Sequence, residues 1–154
     1  MNASKSNFPV PEASRETNVA MAPPTDLVSG WGTFQAAQRV DPADGLGVSS
    51  RTGWTEDAQG AMRVPPWRDP QRYLRNSPLF QADRIRTPLM MMVGDQDHIP
   101  MSQSEEIFSA LFRQDRDAVL LTYWGEAHAF YSPGNVRDSY ERALAWMAEH
   151  LGAP

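Results

Sequence analysis

The chain has 154 residues, with 14 Lys and Arg against 19 Asp and Glu, a net charge of -5 and no cysteine. The acidic balance, with a pI near 5.1, excludes a phosphate-tracking surface and therefore nucleic acid as a partner. The missing cysteine excludes disulfides, thiolate zinc sites and a Cys nucleophile together. The length suits one domain with a real core, yet is short for a complete α/β enzyme.

Hydrophobic residues make up 41% of the chain, while 13 Pro and a mean hydropathy of -0.51 predict substantial loop. The first residues, MNASKSNFPVPEAS, carry no apolar stretch of the kind a secretory signal needs. The longest apolar run, Pro88 to Val93, is far too short to span a bilayer. A soluble chain without a membrane partner is expected, with a cytoplasmic or periplasmic location equally open.

Residues 1–66 hold Pro9, Pro11, Pro23, Pro24, Pro42, Pro65 and Pro66 among small polar residues, with short apolar islands such as Val19 to Ala22. They predict an irregular, loop-rich N-terminal third. Val28 to Phe34 reads as a short extended piece, and Asp41 to Ser50 as a surface loop. Residues 67–154 form the ordered unit.

There, Asp69 and Pro70 supply an N-cap and a first-turn proline for a helix over Gln71 to Arg75. Pro88-Leu-Met-Met-Met-Val93 reads as a central parallel strand with both faces buried. Ser102-Gln-Ser-Glu105 resembles a capping box ahead of a helix whose stripe is Ile107, Phe108, Leu111 and Phe112. Ala118 to Trp124 is a second strand, and Asn135 caps a last helix with Val136, Tyr140, Leu144, Met147 and Leu151 on one side. Helices alternating with strands predict an α/β fold, a parallel sheet with flanking helices.

In such sheets, functional groups gather just past the carboxyl ends of the strands. Two loops lie there: Gly94-Asp-Gln-Asp-His-Ile-Pro100 and Gly125-Glu-Ala-His128. Acidic residues and Gly at strand ends are also ordinary turn formers, and a lone His is more often structural. Asp97 and His128 nevertheless have the order and 31-residue separation that one crossover accommodates, and hydrolase chemistry needs such a carboxylate and imidazole. Asp95 reads as a turn former, His98 as a loop-lining residue and His150 as a cation in a last helical turn; Met90 to Met92 read as core.

Five segments together resemble the prolyl oligopeptidase family of serine peptidases, in the C-terminal part of its α/β-hydrolase domain. They are Val64-Pro-Pro-Trp-Arg-Asp-Pro-Gln-Arg-Tyr-Leu-Arg-Asn-Ser-Pro-Leu-Phe80, Ala82-Asp-Arg-Ile-Arg-Thr-Pro-Leu89, Gly94 to Pro100, Ser102-Gln-Ser-Glu-Glu106 and Tyr123-Trp-Gly-Glu-Ala-His128. The resemblance runs from about Trp54 to Leu151. It implies that Asp97 is the triad acid and His128 the base, with no cofactor and no metal. Ala127 stands where the family has Gly, which restricts φ.

The family's serine sits in a G-x-S-x-G elbow. No such pentapeptide occurs in this chain. The family layout points to Ser14 as the candidate nucleophile, but Glu12 and Glu16 occupy the glycine positions, where Cβ and charge oppose the turn and a nearby oxyanion.

The leading expectation is therefore a serine-type peptidase domain acting on a peptide or small acyl substrate when complete, and inactive as this chain alone. The alternatives are a non-catalytic fragment or interaction module, self-associating through an exposed sheet edge, and a metal-dependent hydrolase using Asp95, Asp97, His98 and His128.

Overall fold

The computed structural model describes residues 16–33 and 51–152. The loop expected over Asp41 to Ser50 and the candidate nucleophile Ser14 lie outside the described residues. Three strands, β1 (Asn18–Met21), β2 (Leu89–Gly94) and β3 (Ala118–Tyr123), form a parallel sheet in the order β1-β2-β3. Leu89 pairs with both Asn18 and Ala118, and Met92 with both Met21 and Leu121, so β2 is central.

Successive side chains of a strand point to opposite faces, which divides the methionine run of β2 between two cores. Met91 packs with Ala82, Ile107 and Leu111, whereas Met90 and Met92 pack with Tyr123 and Trp146. The first core is covered by α4 (Met101–Phe112) and a 3-10 segment, Pro78–Arg84; the second by α5 (Pro133–Leu151). Burial of each such side chain contributes about 1.5–3 kcal/mol.

Between β1 and the 3-10 segment lie α1 (Leu27–Gly30), α2 (Thr52–Glu56) and α3 (Pro70–Arg75). Asp69 caps α3 as expected, its carboxylate accepting from the Arg72 amide with Pro70 in the first turn. The N-terminal third is mostly loop where it is described, yet it supplies β1 and two short helices. Val28 belongs to α1 rather than to an extended piece, because Asp26 accepts its amide and starts a helical turn.

Two further caps differ from expectation. Ser102 lies inside α4, which begins after Pro100 without a side-chain cap. The neighbouring Gln103 has the structural role instead: its Oε1 accepts from the Thr25 and Asp26 amides, and its Nε2 donates to the Asp26 carbonyl. This buried side chain fastens the loop after β1 to α4. Likewise α5 begins after Ser132, two residues before Asn135.

The expected apolar side of α5 faces outward. Tyr140 and Leu144 are 68% and 66% exposed, and Met147 and Leu151 are also exposed, while Ser139 and Trp146 are buried. Small Ser139 and Ala143 let the helix lie close to the sheet, and Trp146 fills the space beside them. No helix among the described residues is long and apolar enough to cross a membrane.

Candidate active site

The ends of β2 and β3 deliver two loops to the same edge of the sheet, and backbone hydrogen bonds tie them together. The Gln96 amide donates to the Glu126 carbonyl at 2.9 Å and the Asp95 amide to the Tyr123 carbonyl at 3.3 Å. The Asp95 carboxylate accepts from the Gly125 amide, the turn-shaping role expected of it. Hydrogen bonds from Gln96 and Gly125 hold the Asp95 carboxyl below the ordinary range despite partial desolvation.

Such close approach is possible because residue 94 is glycine. A Cβ there would overlap the carbonyl oxygens of Glu126 and Ala127, which are backbone atoms and cannot rotate aside. Gly125 sits at φ +81, in the left-handed region that glycine alone enters freely. Ala127 is not among the positive-φ residues, so the alanine in place of the family's glycine introduces no backbone strain.

Within this frame Asp97 and His128 meet. His128 Nδ1 lies 3.1 Å from Asp97 Oδ2 and 3.2 Å from Oδ1. The Asp97 side chain is 1% exposed and that of His128 54%. Asp97 Oδ1 also accepts from the Ile99 amide at 2.8 Å, which fixes the carboxylate plane. An ionised carboxylate offers acceptors only, so the hydrogen of a neutral His128 belongs on Nδ1 and the Nε2 lone pair is left free.

His98 joins the pair, with Nδ1 3.2 Å from Asp97 Oδ1 and its ring centroid 4.4 Å from that of His128. Its pKa is lowered, chiefly by burial and further by His128 and Arg51, against the pull of Asp97. Asp95 is directed elsewhere, so the four-residue ligand set considered from the sequence is not assembled as a whole. His150 also stands apart. Its Nε2 meets Asp117 at 2.8 Å, just before β3 at the other edge of the sheet.

Two further contributors, Arg51 and Glu126, were assigned no role from the sequence, although Glu126 stands in the Gly125-Glu-Ala-His128 loop. Arg51 is buried, its guanidinium 4.1 Å over the Trp54 ring and Nη1 donating to the His98 carbonyl at 3.5 Å. Burial lowers its pKa and the charge of Asp97 opposes that shift. Glu126 is buried behind His128 and accepts from the Tyr131 amide at 2.7 Å, the Ser132 amide at 3.1 Å and the Asn135 side chain at 2.7 Å. It thereby ties the His128 loop to the start of α5.

These hydrogen bonds, from Ser132 first and then Tyr131 and Asn135, hold the Glu126 carboxyl down at about 2, against an ordinary 4.5. A carboxyl lowered in the folded state stabilises the fold above its unfolded pKa, and that contribution is lost as pH falls from 4.5 toward 2. The resistance of the wild type to urea is expected to fall as pH drops through this window. Glu126→Gln should be less stable at pH 7 and show a shallower acid slope.

A model of the prolyl oligopeptidase family matches residues 34–154. The acylamino-acid-releasing enzyme of Sus scrofa is 32% identical over 81 residues, 52% of this chain and 11% of that enzyme. A Mycobacterium tuberculosis puromycin-hydrolyzing peptidase superposes with a TM-score of 0.68 at 27% identity, covering 88% of this chain and 18% of that one. The Pyrococcus horikoshii acylaminoacyl peptidase, at 16% identity and a TM-score of 0.63 over 86% of this chain and 20% of that one, shares the fold. The chain thus spans about a tenth of the curated relative's length, and the part it matches has the parallel sheet and flanking helices of an α/β-hydrolase.

Proposed function

The chain belongs to the prolyl oligopeptidase family, and we propose that it forms the acid and base half of a serine-type peptidase site. The carrying observation is the buried Asp97 carboxylate against His128 Nδ1 at 3.1 Å, with the His128 side chain itself 54% exposed. In the reaction, His128 Nε2 takes the proton of a serine hydroxyl as its oxygen bonds to the scissile carbonyl carbon. Asp97 keeps the Nδ1 hydrogen in place and stabilises the imidazolium that forms. That imidazolium returns the proton to the leaving amine, and a water deprotonated by Nε2 resolves the acyl-enzyme.

The relatives' names, acylamino-acid-releasing enzyme and puromycin-hydrolyzing peptidase, support amide bonds of short peptides or acylated amino acids as the substrate class. The chain contains no G-x-S-x-G pentapeptide, so the nucleophile is assigned to a segment outside this sequence and the isolated chain is expected to be inactive. Treatment of the purified chain with a fluorophosphonate should leave it unlabelled. Stoichiometric labelling at Ser14, lost in Ser14→Ala, would overturn that assignment.

A further inference from the structure

Asp97, His98 and His128 each offer one ligand atom, and these atoms lie within 4.8 Å of one another. We propose that the three side chains form an inhibitory site for a divalent transition ion of the Zn2+ or Cu2+ class. The inhibitory consequence, though not the binding, rests on His128 being the base of the proposed reaction.

The argument begins with spacing. A tetrahedral ion with bonds of about 2.0–2.2 Å holds its ligand atoms roughly 3.3–3.5 Å apart. Both histidine Nδ1 atoms already stand near that distance from one and the same oxygen, Asp97 Oδ1, each at 3.2 Å. Two imidazoles and one carboxylate suit Zn2+ or Cu2+, with the fourth position left to water.

The ligands also differ usefully in mobility. Asp97 is fixed by the Ile99 amide, whereas His98 and His128 are 34% and 54% exposed and their rings can tilt to close the remaining gap. Arg51 donates to the His98 carbonyl, and its positive charge opposes the ion, which keeps binding exchangeable.

Occupancy would abolish base function by moving a proton. In the metal-free state the hydrogen of neutral His128 is on Nδ1. When the ion bonds to Nδ1, that hydrogen leaves and a hydrogen is carried instead on Nε2; the ring stays neutral and no net proton is released. His98 undergoes the same exchange. Nε2 of His128 then donates a hydrogen bond and cannot accept the serine proton.

Co2+ titration of the purified chain, followed by its visible d–d absorption, tests binding without any nucleophile. A saturable tetrahedral spectrum displaced by Zn2+ is expected. Affinity should fall by more than about tenfold in His98→Ala and in His98→Gln, since loss of even an outer partner of a metal ligand costs that much. Asp117→Asn, remote from the site, should leave it unchanged. Circular dichroism confirms that each variant is folded. Absence of the spectrum, or its persistence in both His98 variants, would overturn the site. In a hydrolase completed by a nucleophile-bearing segment, Zn2+ should inhibit reversibly, a chelator should restore the rate, and the Zn2+ concentration for half-inhibition should rise more than about tenfold in His98→Ala relative to that variant's own metal-free rate. Binding without inhibition would overturn the role of the ion while leaving the site. Activity surviving in His128→Ala would instead refute the peptidase reading.

Discussion

Asp97→Asn, in a hydrolase completed by co-expressing this chain with a segment that carries a glycine-flanked serine, is expected to lower kcat by about 10^4 with little change in fold. The substitution keeps an oxygen for the Ile99 amide, now accepted at 2.8 Å, so the loop should hold its shape. Its other terminal atom becomes an NH2 donor facing His128 Nδ1. Two donors cannot face each other, so the ring turns to the tautomer with hydrogen on Nε2, the nitrogen that must accept the serine proton. Because the fault lies in the chemical step, KM should change far less than kcat. Steady-state kinetics on a chromogenic amide substrate checks this, and a kcat within tenfold of wild type would remove Asp97 from the role.

Gly94→Ala should damage both stability and activity. The added methyl would overlap the Glu126 and Ala127 carbonyls, so the β2 and β3 loops must separate. Separation would break the Gln96 to Glu126 hydrogen bond, now 2.9 Å, and carry His128 away from Asp97. Overpacking of this kind costs about 1–3 kcal/mol. A displacement near 1 Å at a reacting group costs on the order of 100-fold in rate. Thermal melting should show the stability loss in the isolated chain, and turnover of the completed enzyme should show the rate loss. Alanine accepted without either effect would mean that the loops are not held in register by residue 94.

Those two positions were unequally legible. A continuous apolar run ending in glycine announces a buried parallel strand, and chemistry-bearing residues just past two such strands are visible as residue types in order. Asp97 and His128 can thus be paired from residue type and order alone. The sequence does not show why residue 94 must be glycine, because the carbonyls that forbid a side chain come from the other loop. Arg51 lay in a stretch that reads as loop, and only the tertiary fold brings it against His98.

Secondary structure failed for related reasons. Asn18–Met21 has only four residues and gains its strand conformation from pairing with β2. In α5 the periodicity of Tyr140, Leu144, Met147 and Leu151 correctly marks a helix. It does not mark the packed side, where Ser139 and Ala143 win because close approach to the sheet favours small residues over large ones. The helix starts differ from the polar residues expected as caps: α5 starts at Pro133, whose fixed φ suits a first helical turn, and α4 starts one residue after Pro100.

The central claim is that Asp97 holds His128 in the tautomer of a general base. Long-range 1H–15N correlation spectra of the isolated chain, at a pH where the ring is neutral, read that directly. The expected result is hydrogen on His128 Nδ1 with Nε2 unprotonated, reversing to hydrogen on Nε2 in Asp97→Asn. A wild-type ring carrying its hydrogen on Nε2, unaltered by that substitution, would contradict the account.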